Sequence, residues 1–388
     1  MIKYIKYSFF HIMGLFAAVV ILLGGSFITS GLIITLIIFI GGDLLLGDDH
    51  STPDFSHPQL LTWQLWLAFP LLCFIVFAAV WQFAETDLFT FGQWVQNQLA
   101  IDILSSRGHS SRVEFVLCIF LTGFYIGLIG TITAHELTHR TADPISLLIG
   151  RWLLAFSFDT SFSVEHVYGH HRYVSTIDDP ATAPRGRNVY AHILISTYKG
   201  NVSAWKIEKK RLQKNNRTVF SIHNRLLRGY SMSIVLFAAI YWLAGATSLI
   251  LLAAAGLWGK SLLEIVNYME HYGIVRDPKT RVEPRHSWNS TKRVSSWAMF
   301  NLTRHSHHHA KASVPFHELQ PMANSPEMIS GYLGTVLVAM IPPLWHKLMT
   351  PKVLDWDKNY ASREEQKLID VANQKSGLDA FSQKAVLP

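Results

Sequence analysis

Long uncharged apolar blocks, more than any other feature, limit what this chain can fold into. A run of about 18 or more apolar residues crosses the hydrocarbon core of a bilayer as a helix, because a helix satisfies its backbone hydrogen bonds internally where no water can. Six stretches read as spans: residues 9–27, 30–46, 61–83, 113–133, 230–245 and 249–272, the last two divided near Gly245 to Ser248. The stretch from Ile145 to Phe158 is interrupted by Arg151 and reads as an interfacial or half-buried helix. Gly331 to Trp345 is short and broken by Pro342 and Pro343, so it is not a span. The expectation is an all-α integral membrane protein with six transmembrane helices. Residues 1–350 form one membrane-embedded unit, and 351–388 form a polar, partly disordered tail.

The charges fix an orientation. Lys3 and Lys6 precede the first span, the connection from Arg140 to Arg228 is dense in Lys and Arg, and only Arg107 and Arg112 lie between the third and fourth spans. Positive charge gathers on the cytoplasmic side, so both termini, the long basic connection and the region after about residue 273 are expected there. The net charge of +7 then follows from topology and requires no nucleic-acid partner. The N-terminus lacks a small-residue cleavage pattern and reads as an uncleaved anchor. Cys73 and Cys118 fall inside predicted spans, which supplies neither a disulfide framework nor a Cys-x-x-Cys cluster.

Nineteen histidines are present, and ten stand in four short clusters. His135 and His139 lie at i and i+4, on one face of a helix, at the cytoplasmic end of the fourth span. The letters His-Glu-x-x-His also occur in zinc proteases. The next cluster, Glu165 to His171, adds His166, His170 and His171, more imidazoles than a four-ligand zinc site can use. His271 closes the sixth span, and Arg304 to His309 carries His305, His307, His308 and His309, of which His305, His308 and His309 share a face if the segment is helical. All four clusters fall on one membrane side. That many neutral imidazoles suit two first-row transition ions, and iron, copper, zinc and nickel are all compatible with them. Glu136, Glu165 and Glu270 accompany the histidines and are assigned to accept N–H bonds from ligating rings.

These motifs resemble the membrane alkane 1-monooxygenases, a family that includes the xylene monooxygenase hydroxylase component. His-Glu-Leu-x-His is met at His135 to His139, and Glu-His-x-x-Gly-His-His at Glu165 to His171, followed by Asp178-Asp179-Pro180. Asn-Tyr-x-Glu-His-Tyr-Gly is met at Asn267 to Gly273, and Arg-His-Ser-x-His-His-Ala at Arg304 to Ala310. The third signature separates this family from fatty-acid desaturases. The resemblance implies six spans, a cytoplasmic cap and two non-haem irons, without haem or flavin. The irons would be held by His135, His139, His166, His170, His171, His271, His305, His308 and His309. The chain departs from the pattern at His307, where the family usually has Asp, and in Lys311 to Phe316.

The family reaction inserts one atom of O2 into a terminal C–H bond and reduces the other to water. No acid, base or nucleophile acts on an unpolarised C–H bond, so a redox metal is required and iron is preferred to zinc. An alkane or related hydrophobic substrate partitions into membrane lipid, and Ile34, Ile38 and Phe39 in the second span are candidate channel-wall residues. Electrons must come from outside, from a rubredoxin or ferredoxin and its reductase, because the two cysteines cannot hold a rubredoxin iron. Basic residues between Lys199 and Arg228 would receive an acidic donor or lie beside anionic lipid. The alternatives are a methylarene or fatty-acyl hydroxylase or desaturase of the same type, an intramembrane metalloprotease, and a metal transporter or sensor. The expected location is the bacterial inner membrane.

Overall fold

The structure, a computed structural model, describes residues 2–382. It is all-α: the described residues form helices and loops, with two isolated bridges and no strand. Five helices are long and apolar enough to cross a membrane: α1 (Lys3–Leu23), α2 (Ser26–Leu46), α3 (Pro58–Phe83), α4 (Arg112–His139) and α7 (Arg225–His271). Between them lie α5 (Pro144–Ala155) and α6 (Val189–Lys214). After them come α8 (His305–Ala310), α9 (Tyr332–Ala339), α10 (Pro342–Asn359) and α11 (Arg363–Gln374).

α1 and α2 meet at Gly24 and Gly25, whose φ values of 66° and 50° are the left-handed conformation that favours glycine. The first span thus starts and ends earlier than the apolar pattern suggested, and α4 runs past residue 133 to take in His135 and His139. A capping box of Ser111 and Glu114 starts α4, and Asp143 caps α5 by accepting from the Ile145 and Ser146 amides, a contribution of about 1 kcal/mol. α5 is shorter than its sequence window, stopping at Ala155 ahead of Phe158, which has φ 58°.

α7 is one element only by hydrogen bonding. Gly245, with φ 79° and ψ −174°, breaks it where the sequence placed the division. Residues 229 and 260 would stand about 45 Å apart on a straight helix rising roughly 1.5 Å per residue. Instead Gly229 abuts Thr160, while Lys260 Nζ bonds Asp159 Oδ2 at 2.8 Å. The rings of Phe237 and Phe158 stack at 4.1 Å, and Gly256 lies against Phe156 and Phe158. The two arms of α7 therefore run side by side in opposite directions.

The described part of the C-terminal tail is ordered rather than disordered. α10 and α11 dock through charge pairs that composition alone does not reveal. The buried Arg185 guanidinium donates to Asp357 at 2.7 and 2.5 Å and to Asn373 at 2.5 Å, and His286 Nε2 meets Glu365 Oε1 at 2.7 Å. Residues 383–388 lie outside the described residues.

Candidate metal centre

Each histidine is aimed by the local winding of its helix. His135 and His139 sit one turn apart at the end of α4. His166 to His170 form a single π-helical turn. On an α-helix, residues i and i+5 point about 140° apart, but a π-turn, hydrogen-bonded i to i+5, brings them together. His166 and His171 accordingly meet, Nε2 to Nε2, at 3.0 Å, while His170 points elsewhere. His271 ends α7, and α8 carries His305, His308 and His309.

Nine imidazoles gather into two groups, within each of which the ligand atoms lie no more than 4.8 Å apart. One holds His135, His139, His166, His171 and His308; the other holds His170, His271, His305 and His309. The winding that joins His166 with His171 therefore divides the consecutive pair His170 and His171 between groups. α8 divides as well: His305 and His309, one turn apart, join the second group, and His308 joins the first.

The donor set fits metal ions. In the second group Nε2 atoms face one another in series: His170 to His309 at 3.3 Å, His309 to His305 at 2.9 Å, and His305 to His271 at 3.2 Å. Each such nitrogen carries either a proton or a lone pair, so this series cannot be satisfied by hydrogen bonds alone. Spacings of this size are those of nitrogens sharing an ion at about 2.1 Å. In the first group His135 Nε2 and His139 Nε2 are buried without hydrogen-bond partners, and His308 Nε2 stands 3.1 Å from His171 Nε2.

Electrostatics favours neutral rings. Burial, followed by neighbouring imidazoles, pushes His166, His171, His305, His308 and His309 below the usual histidine range. His170 is the exception. Burial lowers it, but the Asp179 carboxylate, 2.9 Å from Nδ1, outweighs that and holds it up. Thr182 and the Ala181 amide hold Asp179 in turn.

The carboxylates assigned from sequence are placed differently. Glu136 receives two bonds from Arg140, at 3.2 and 3.0 Å, and none from a ring: its i+4 arginine competes for it and wins. Glu165 accepts from Ser203 at 3.2 Å, again without a ring bond, and burial pushes its carboxyl up to about 8. Glu270 alone meets the cluster. Its Oε2 lies 3.2 Å from His305 Nε2, the nitrogen that faces His271 and His309, and its Oε1 accepts from Tyr332 at 2.7 Å. The ring acceptor missed from sequence is Asp179; its signal was the Asp-Asp-Pro turn just after the second cluster. His307 belongs to neither group, and its Nδ1 accepts from the Gln320 amide at 2.8 Å.

An apolar cavity lies between α2, α4 and the C-terminal arm of α7, and its wall residue Tyr332 bonds Glu270 beside His305. Phe39, Phe124, Gly127, Ile132 and Leu263 line it, with Tyr332 among the walls. Of Ile34, Ile38 and Phe39, the structure puts Phe39 in the lining of this cavity, edge-on to Phe124 at 5.5 Å. Ile34 is 40% exposed on the outer surface, and Ile38 is half-buried without reaching the cavity, because helical winding turns both away from it.

Long apolar helices, with two groups of buried imidazoles placed at helix ends, define a membrane protein equipped to bind metal. Residues 111–335 match the fatty acid desaturase family model. The chain is 35% identical to alkane 1-monooxygenase 1 of Pseudomonas aeruginosa, over 84% of this chain and 81% of that protein. It is 30% identical to alkane 1-monooxygenase 1 of Alcanivorax borkumensis, over 81% and 74% of the two chains. It is also 30% identical to the xylene/toluene monooxygenase hydroxylase component of Pseudomonas putida, over 69% and 72%. The chain belongs to the alkane 1-monooxygenase family and is an oxidoreductase.

Proposed function

We propose that this protein is a non-haem diiron monooxygenase that converts alkanes to primary alcohols with O2 and two electrons. What supports the reading is the pairing of two imidazole groups with an apolar cavity whose wall residue Tyr332 bonds Glu270, the carboxylate beside His305. Iron supplies the O2 chemistry that no side chain provides. His135, His139, His166, His171 and His308 hold one ion, and His170, His271, His305 and His309 hold the other, with Asp179 fixing the ring of His170. Apolar walls from Phe39 to Leu263 desolvate the chain of the substrate and present its end, and Tyr332 orients the Glu270 carboxylate beside the donor nitrogens.

In this reading the two arms of α7 are separate spans, which makes six. Both termini and the metal centre face the cytoplasm of a bacterial inner membrane, and residues 1–350 form the hydroxylase unit. A rubredoxin or ferredoxin, reduced by its reductase, docks on that face, where Lys206, Lys209 and Lys210 are exposed on α6. The likeness to a xylene/toluene monooxygenase component supports a second substrate reading, a methylarene.

The test is turnover of octane, hexadecane and a methylarene by the purified protein in nanodiscs with iron, NADH, rubredoxin and its reductase under labelled O2. A primary alcohol carrying one labelled oxygen, with about two irons per chain, is the expected result. Zinc in place of iron and no oxygen-dependent product would overturn it.

A further inference from the structure

The C-terminal arm of α7 has two working faces. Leu262, Leu263 and Val266 line the apolar cavity. Turned away from them, Lys260, Glu264 and Asn267 line a second, smaller cavity, which reaches His166 and His170 of the two imidazole groups. Most of the residues that line it carry polar groups. Lys260 Nζ bonds Asp159 Oδ2 at 2.8 Å and Glu264 Oε1 at 2.6 Å, and Asn267 donates to Glu264 at 3.2 Å. Glu165 closes the inner side, and Ser196, Gly200 and Asn201 of α6 line the outer. Asp159 and Glu264 are 2% and 3% exposed.

A buried ion triad is an expensive way to hold helices together, since apolar side chains of similar volume do it as well or better. This one carries one more carboxylate than ammonium, faces a cavity rather than a packed core, and stands beside the metal centre. Cavities with several polar partners hold ordered water, whereas apolar ones of this kind stay dry.

The proposed reaction has a matching need: O2 + R–H + 2 e⁻ + 2 H⁺ → R–OH + H2O, with electrons from a reduced iron–sulfur or rubredoxin-type protein. Two protons enter and one water leaves in every turnover, and neither can cross the apolar cavity that holds the substrate. Resting on the monooxygenase reading, we propose that the polar cavity is the proton inlet and water outlet of the metal centre, with Asp159, Lys260 and Glu264 as relay groups. Protons pass along water anchored by the triad, Ser196 and Asn267. Substrate and protons thus approach from different faces of one helix arm.

Two variants of the full-length, iron-loaded protein test this. Glu264→Gln keeps shape and hydrogen bonding but cannot relay a proton. Gly200→Leu leaves the triad intact and narrows the opening: a Cβ there meets no atom within 4 Å, so the helix accepts it. For both, iron content is expected to match the wild type. Alcohol formation should fall, by about a hundredfold for Glu264→Gln and less for Gly200→Leu. The solvent isotope effect should rise, and electrons should be diverted into hydrogen peroxide. A cryo-EM map of the wild type should show ordered water between Glu264 and Asn267.

Wild-type rates and wild-type alcohol per electron in both variants would overturn the proposal. So would a slower rate with unchanged isotope effect and no peroxide, the mark of a structural clamp. If Glu264→Gln does not load iron, Gly200→Leu and the map decide. If the wild type forms no labelled alcohol, the monooxygenase reading itself fails; an active wild type with unaffected variants removes only the inlet.

Discussion

The two histidine groups are drawn from neighbouring motifs, yet their surroundings differ. In the group of five, His139 and His171 are only half-buried, and no ring bonds a carboxylate among the described residues. In the group of four every ring is buried, Asp179 holds His170, and Glu270 stands beside His305. Among the described residues the group of five has no carboxylate at its rings and two half-buried members, although the Nε2 atoms of His135 and His139 are buried. The group of four is a closed nest whose carboxylates would offset a cation in low dielectric. If each group holds an ion, the two need not be equally tight, equally quick to exchange or equally reducible.

The largest expected effect comes from His305→Ala, whose Nε2 stands between His271 and His309. Alcohol formation should disappear, beyond the 10- to 100-fold loss roughly typical of removing an outer partner, and iron should fall toward one per chain by elemental analysis. Asp179→Asn should cost about 10- to 100-fold in metal affinity or activity. Glu136→Gln should leave iron content unchanged, and equal loss in the two variants would break the contrast.

Chelation should be biphasic, with the ion of the half-buried rings leaving first; a single phase would show the groups to be equivalent. A smaller effect follows from pH in the metal-free protein. The native-state affinities of His166, His171, His308, His305 and His309 are depressed by burial, so the unfolded chain binds more protons. Stability should be full above the unfolded histidine pKa of about 6.5 and decline as pH falls below it, as read by thermal melting of metal-free samples at a series of pH values. The smallest effect is expected from His307→Asp, which serves neither group and should keep activity within about threefold; a lost iron there would mean that the groups have a tenth member.

The nine imidazoles were legible because four short motifs that resemble the family's carry them; i, i+4 spacing accounts only for His135 with His139 and His305 with His309. Gly245 was legible too: an apolar run too long for one crossing needs a break, and glycine supplies it. The division into five and four was not, since it depends on a π-turn that the sequence does not announce. Two of the three carboxylates, Glu136 and Glu165, bond elsewhere than the sequence assigned them, whereas Glu270 stands beside His305. Glu136 looked like a ring acceptor until Arg140 was seen beside it, and Asp179 acquired its role only from the turn that points it back at His170. Lys260 with Asp159, separated by about a hundred residues, and the docking of α11 are long-range pairings that no local pattern encodes.

The fastening of α10 and α11 has a consequence for how the protein is made. Glu365 grips His286, and Asp357 grips Arg185, in the connections that run between the second, third and fourth histidine motifs. Synthesis proceeds from the N-terminus, so both latches emerge from the ribosome after every ligand has been translated. A nascent chain paused before residue 357 thus has its full complement of imidazoles before either latch can close.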